Sequence, residues 1–316
     1  MSNFAVVVEQ GQARDISHDE WLAYRGPGFA WLHIESEEPT LAPFKGMALP
    51  DVVLGALTAA ETRPRCDVID HGAILNLRGP ASDEISGSDW LVSIRLWVNR
   101  SRIVSFSRRT LTALPRVHEA FLAGRLADPG DLVTLLAREI SLELDPYIAN
   151  LGDQLDDCES ALETENLYGL RRTVTQIRST AISLRRFIAP DRDALNALTT
   201  LEFEWLAPED LLHIREATDR FARMAEELEA VRERAALVHE QLTDLRAEQV
   251  DQRSLYIAIV AFIFLPLTFI TGLLGMNVEG IPYAHSPWAF WGVVAFCILV
   301  GLAVLGWFGM RNWLRR

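Results

Sequence analysis

Two uncharged stretches near the C-terminus, Ser254–Val278 and Ser286–Met310, constrain this chain more than any other feature. Each holds about 20 apolar residues, and at ~1.5 Å of rise per residue each is long enough to cross a ~30 Å hydrocarbon layer. A water-soluble helix of that length keeps a polar face, and neither stretch has one. The chain is expected to cross a membrane twice.

The flanks set the orientation. Met1–Gln10 lacks a basic segment followed by an apolar one, so residues 1–250 are expected to stay in the cytoplasm. Arg246 and Arg253 precede the first stretch, and Arg311, Arg315 and Arg316 follow the second, while the connecting loop Asn277–Pro287 carries no Lys or Arg. Positive residues stay inside, which puts both termini in the cytoplasm and the loop outside, in a bacterial inner membrane. The expected class is α+β with a membrane part. Residues 1–125 form a cytoplasmic α/β domain, 126–250 a helical region and stalk, and 251–316 a transmembrane domain. Within that last domain the spans run from about 254 to 275 and about 288 to 310, joined by an outer loop, 276–287.

The net charge of −13 becomes −15 over residues 1–250, because four Arg outweigh Asp251 and Glu279 in the remainder. So acidic a body argues against nucleic acid as a partner and concentrates cations; it also serves plain solubility. Cys66, Cys158 and Cys297 show no C-x-x-C spacing and read as reduced or buried thiols, not a structural zinc site.

Phe4–Glu9, Gly28–Glu35, Cys66–Arg78 and Leu91–Ser107 have the β-branched and aromatic content of strands, the last two pairing around Gly79–Asp89. Ala48–Thr58 and Leu111–Ala123 carry helical spacing. There is no G-x-G-x-x-G, P-loop or G-x-S-x-G, and no nucleophile, base and oxyanion grouping, so neither an enzyme nor a bound cofactor is expected. Helical periodicity then takes over in Asp131–Glu163 and Asn166–Ala189, with Pro190 expected to end the second helix and Asp191–Thr200 to connect onward. A third helix starts near Pro208, its first turn carrying Glu209 and Asp210. No Gly or Pro follows until Pro266, so this helix is expected to run into the first span, ~100 Å in all.

If copies of such a helix pack in parallel, one face looks at the axis. Stepping back from Gly272 in fours and threes gives Thr268, Leu265, Ala261, Ala258 and Ser254, then Asp251, Ala247, Asp244, Glu240, Leu237, Glu233, Ala230 and Glu226. The first group is small or mildly polar, the second largely acidic; Leu228, Val231, Ala235, Val238, Leu242 and Leu245 supply an adjacent packing face. One reading is a cation path in which a narrow membrane section, with Leu265 as a constriction, opens into an acid-lined vestibule. The other is that the acids are only the solvated side of an amphipathic helix. Pro266 removes a backbone hydrogen bond to Phe262, which permits a bend and is also commonly tolerated in membrane helices.

Pro266 to Asn277, ending in Gly275-Met276-Asn277, closely resembles the end of the first span in CorA-type transporters, and the architectural match covers essentially the whole chain. The resemblance implies a funnel-shaped homopentamer embedded in membrane lipid, with the first span lining the pore, the second forming an outer ring and the N-terminal domain forming the wide mouth. It also implies that Asn277 contacts an incoming hydrated cation through its side-chain carbonyl, and that Thr268 and Leu265 face the pore. A ring of neutral carbonyls holds an ion's water shell without trapping the ion.

Val278-Glu279-Gly280-Ile281-Pro282 resembles the Gly-Gly-Ile-Pro continuation of the ZntB-type zinc branch. Zinc uptake, assisted by a proton gradient, is what that branch implies, although no acidic or His residue lies in the membrane stripe to carry the proton. Glu279, where the branch often has Gly, keeps Mg²⁺ and Co²⁺ open as cargo. His285 suits Zn²⁺ as a ligand, with symmetry copies supplying the rest, or is simply an interfacial loop residue. Trp288, Trp291, Trp307 and Trp313 fit interfacial belts. Outside transport, the alternative is a membrane-anchored sensor or scaffold whose α/β domain binds a partner.

Overall fold

Strand β1 (Phe4–Glu9) buries four consecutive residues, Ala5–Val8, as an interior strand covered on both faces does. It turns through Gln10 and Gly11, at φ 51° and 75°, into β2 (Gln12–Asp15). Ser17 and Glu20 then close a reciprocal capping box that starts α1 (His18–Ala23). Next come β3 (Phe29–Glu35), α2 (Asp51–Thr58), β4 (Arg65–Ile69), β5 (Gly72–Pro80), β6 (Leu91–Val98), β7 (Arg102–Ser107) and α3 (Ala113–Leu122). This computed structural model describes residues 3–37, 44–59, 63–82, 90–162, 167–277, 280–281 and 286–313.

The strands form one sheet in the order β2-β1-β3-β7-β6-β5-β4, with β3 and β7 parallel and every other pair antiparallel. Two expected strands each resolve into a hairpin. Asp70, at φ 51°, turns β4 into β5, and the Asn99 Oδ1, accepting from the Ser101 and Arg102 N–H groups, turns β6 into β7. The pairing expected around residues 79–89 is that of β5 with β6. Trp21, Val53, Leu57, Leu32 and Phe106 belong to the core on one face. Within the sheet, Ser105 Oγ accepts from Trp31 Nε1 and meets His33 Nδ1, both at 2.8 Å, and burial pushes the His33 pKa down to about 3. That histidine is a neutral core residue.

Four helices follow: α4 (Pro129–Ser160), α5 (Leu167–Thr199), α6 (Pro208–Leu274) and α7 (Ala289–Trp313). The sheet meets α4 at close range, since a Cβ on Gly79 would lie 3.1 Å from the Ile140 side chain. The expected helix end at Pro190 is not found, because α5 runs through that proline to Thr199. Tertiary anchoring outweighs the lost backbone bond. Asp191 is wholly buried and accepts the Arg78 N–H of β5 at 3.0 Å, while Ala194, Leu195 and Leu198 continue the buried stripe.

The chain divides into two compact units, Met1–Glu240 and Gln241–Arg316. In the first, α6 buries Ile214, Phe221, Leu228, Val231, Ala235 and Val238. Arg234 of α6 pairs with Asp156 and Glu159 of α4 at 2.5 and 2.7 Å, and Glu229 of α6 pairs with Arg185 of α5 at 3.0 Å. The packing face Leu228–Val238 is therefore buried inside its own chain rather than left open to other copies. Cys66, Cys158 and Cys297 form no disulfide among the described residues, and burial pushes the Cys66 thiol up to about 12.

Candidate functional site

In the unit Gln241–Arg316 the apolar end of α6 is half-buried along one edge, at Ile259, Ile263, Pro266, Leu267 and Ile270. Those positions recur at helical spacing, so they form a single face. The matching half-buried positions on α7 are Val293, Cys297, Val300, Val304 and Phe308, and Phe262 meets Phe308 edge-to-face at 6.2 Å between centroids. Steric fit of apolar side chains holds this pair, because neither helix offers the other an ion pair in these segments.

Ser254, Ala258, Ala261, Leu265, Thr268 and Gly272 are all exposed. At 3.6 residues per turn their mean direction lies roughly 180° from the face that packs on α7. The stripe read from the sequence is thus the face of the first span turned away from the second. Leu265 is 73% exposed, and a Cβ placed on Gly272 would meet nothing within 4 Å. The Thr271 hydroxyl is turned back onto the carbonyls of Leu267 and Thr268, at 2.9 and 3.2 Å, whereas the Thr268 hydroxyl makes no hydrogen bond among the described residues. Of the two hydroxyls, only that of Thr268 is not taken up by the helix's own carbonyls. The helix continues through Pro266 and ends at Leu274.

Gly275 donates its N–H to Thr271 O at 2.9 Å, and a Cβ there would sit 3.1 Å from that same carbonyl, so glycine lets the last turn close tightly. Met276 and Asn277 follow, both exposed. Gly280 sits at φ 102°, a conformation that strains any side chain, which accounts for glycine in the loop. Glu279 and His285 lie outside the described residues. Trp288 and Trp291 are exposed at the start of α7 and Trp307 near its end.

The acidic positions are also solvent-facing. Glu226, Glu233 and Glu240 are exposed on the side of α6 opposite its buried residues, and in the other unit Asp244 and Asp251 are exposed. Glu233 has Arg232 at 3.7 Å, and Arg234 is drawn off to α4, so basic side chains flank the stripe without covering it.

One acidic group went unforeseen. Asp128, Asp131 and Asp210 place carboxylate oxygens within 4.8 Å of one another, close enough for one divalent cation to bridge them. Each also serves a helix start, accepting from the N–H of Asp131, Ala127 and Ala207 respectively. Gly130 makes room for them, since a Cβ there would stand 2.1 Å from Asp210 Oδ2. Burial, then the charges of Asp128 and Asp131, push Asp210 up to about 6. Sequence marked Asp210 as a helix start but held no signal that Asp128 and Asp131, some 80 residues earlier, would meet it.

The family model described as CorA-like Mg2+ transporter protein matches residues 26–316. This chain belongs to the CorA-like transporter family. Among its relatives, the zinc transport protein ZntB of Pectobacterium atrosepticum is 29% identical over 290 residues, 90% of this chain and 88% of that one. The divalent cation transporter CmaX of Pseudomonas aeruginosa is 30% identical over 289 residues, covering 89% and 86%. The solved structure of full-length CmaX superposes with a TM-score of 0.79 at 27% identity, covering 99% of this chain and 97% of that one. The apolar C-terminal end of α6 and the apolar α7, each with an 18-residue segment of mean hydropathy 2.6 and 2.5 respectively, are accordingly the membrane spans of this CorA-like chain, and it is a membrane protein.

Proposed function

We propose that this CorA-like chain moves divalent cations, Zn²⁺ first among them, across the bacterial inner membrane through an axial pore shared by five copies. Both termini lie in the cytoplasm, the exposed stripe of α6 lines the pore, and the α7 helices form the surrounding ring. The observation that carries this reading is the unpartnered stripe from Ser254 to Gly272, small or mildly polar except at Leu265, turned away from α7. A helix that faced only lipid on that side would gain by filling it with large apolar residues, as α6 does at Ile257, Phe264 and Phe269.

Asn277, at the end of the span with Gly275 and Met276, offers its amide carbonyl to the hydrated ion, and Glu279 adds negative charge at the outer mouth. Glu226, Glu233, Glu240, Asp244 and Asp251 attract the cation on the cytoplasmic side. His285 is a further ligand of the loop in this reading. The cargo needs no resident cofactor, and no enzymatic step is involved. Zinc is favoured by the ZntB relatives and by the Gly280-Ile281-Pro282 continuation. A Mg²⁺ or Co²⁺ channel is the second reading, favoured by the family model's description and by Glu279.

Flux of ⁶⁵Zn²⁺ into liposomes holding the purified protein tests both, with Mg²⁺ and Co²⁺ as competitors and with or without an inward proton gradient. The proposal expects Zn²⁺ flux that the gradient raises and that Asn277→Ala lowers by about tenfold or more. Equal flux in Asn277→Ala and parent would remove the loop's assigned role, and preference for Mg²⁺ would replace zinc as cargo.

A further inference from the structure

In the unit Met1–Glu240, α4 and α5 carry opposite charge. Residues 139–160 of α4 hold seven Asp and Glu and no Lys, Arg or His, whereas residues 167–190 of α5 hold five Arg and no Asp or Glu. The chain does not match one set against the other. Arg116 takes up Glu139 and Glu143, and Arg234 takes up Asp156 and Glu159. Asp145, Asp153 and Asp157 are left exposed, with no ion pair among the described residues. Burial, then the charges of Asp145 and Asp153, raise the pKa of Glu227 on α6, so the acids crowd together there. On α5, Arg171 is half-buried and Arg185 pairs with Glu229, while Arg172, Arg178 and Arg186 are exposed and form no ion pair among the described residues.

These two helices border α6 on different sides. Arg234 of α6 reaches α4 and Glu229 reaches α5; five residues apart, the two positions point roughly 140° apart around the helix. The exposed Glu226 and Glu233 fall in the arc between them. The solvent-facing side of α6 therefore has an acidic helix along one edge and a basic helix along the other. The unmatched charges also stand level. A Cβ on Gly152 would lie 3.8 Å from Glu227 Oε1, and Arg185 meets Glu229 at 3.0 Å, so Asp153 and Arg186 sit at nearly the same height along α6. Each belongs to a ridge of residues spaced by four, Ala149-Asp153-Asp157 on α4 and Arg178-Ile182-Arg186 on α5, and Ile182 is 43% exposed.

We propose that the two ridges are the halves of one contact, the acidic α4 ridge of each copy docking on the basic α5 ridge of the next around the ring. The inference rests on the proposed pore, with the exposed side of α6 toward its axis. Rotation about such an axis preserves height, so Asp153 of one copy comes opposite Arg186 of its neighbour, and Asp157 and Arg178 follow along the ridges. A contact between two different patches of one chain is head-to-tail and can close a ring. Setting α4 on α4, or α5 on α5, would instead bring like charges face to face. Exposed ion pairs add little affinity, so the charges select which surfaces meet and Ile182 supplies apolar contact. A second copy is the occupant because one chain already carries both complementary faces at one height.

Coexpression of full-length chains carrying Asp153→Cys with chains carrying Arg186→Cys, all with Cys66, Cys158 and Cys297 replaced by Ser, tests this in membranes treated with a short bismaleimide. Linked dimers are expected from the mixture, at about tenfold or more the yield of either variant alone. Adding Arg178→Glu to the Arg186→Cys chain should cut that yield several-fold, and adding Asp157→Lys to the Asp153→Cys chain should then restore it. No linkage in the mixture, equal linkage by one variant alone, or linkage only to a different protein overturns the proposal. So does a yield that ignores Arg178→Glu or that Asp157→Lys does not restore. Should either cysteine chain fail to reach the membrane, Asp157→Cys with Arg178→Cys decides in the same way. Zinc flux read on the same membranes separates this contact from the pore. Linkage without flux keeps the contact and removes the pore, and flux without linkage does the reverse.

Discussion

Asp210 shows how one carboxylate can carry two conflicting duties. It accepts the Ala207 N–H that starts α6, which favours its charged form, yet it is buried beside Asp128 and Asp131, which disfavours it more strongly. Its folded value of about 6 lies above the usual 3.8, so the folded state holds the proton more tightly than the unfolded one. The resulting stabilisation is full below pH ~4 and is lost as pH rises through ~6. Asp210→Asn keeps an acceptor for Ala207 and removes the titration. The variant is expected to melt like the parent near pH 4 but to be more stable at pH 7.5, by on the order of 1 kcal/mol. Tryptophan-fluorescence melts of the detergent-solubilised protein at the two pH values check this, and parallel pH slopes in parent and variant would refute it. A divalent cation at the trio would offset the same repulsion, so the melts belong in chelator.

Elements whose cause is local were legible in the sequence, and those whose cause is distant were not. The long α6 follows from an uninterrupted run without Gly or Pro, and the two spans from the loss of every charge. Pro190 misled, because the partner that holds α5 straight past it, the Arg78 N–H, lies 113 residues away. The parallel pairing of β3 with β7 and the trio at the starts of α4 and α6 have the same character. Asp191 tests this account of α5. Asp191→Ala leaves the Arg78 N–H without its acceptor and is expected to cost ~1–3 kcal/mol, whereas Asp191→Asn keeps the acceptor and costs less. Burial already holds the Asp191 pKa well above the usual range, so a neutral amide suits the site. Equal losses in the two variants, read from melting midpoints, would show that the hydrogen bond is not the anchor. In α6 itself the stripe was legible by spacing, but which side packs on α7 was not. Ala261→Phe, on the stripe, is expected to reduce zinc flux by about tenfold or more, while Phe264→Leu, off it, leaves flux near the parent's. Reversal of that pattern would move the ion path to another face.

For the whole molecule, one chain leaves its first span half-finished. One side of α6 is half-buried against the second span, and the opposite side, from Ser254 to Gly272, is exposed among the described residues. In the unit Met1–Glu240 α6 packs on α4 and α5 instead, so copies cannot be knitted together there by the Leu228–Val238 face. In the proposed pentamer, contact between copies comes from the span and from the remaining surfaces of the N-terminal unit. An axial arrangement brings the same stripe residue of neighbouring copies together around the pore. With Cys66, Cys158 and Cys297 replaced by Ser, a single Ala258→Cys should therefore form disulfide-linked dimers between copies when membranes are mildly oxidised. Leu299→Cys, exposed on α7 and turned to lipid in the proposed arrangement, should not. Non-reducing gels read the outcome, and a native mass five times that of the 35.5 kDa chain sets the copy number. Linkage through Leu299→Cys with none through Ala258→Cys would turn the spans inside out, placing α7 at the axis and the small-residue stripe against lipid.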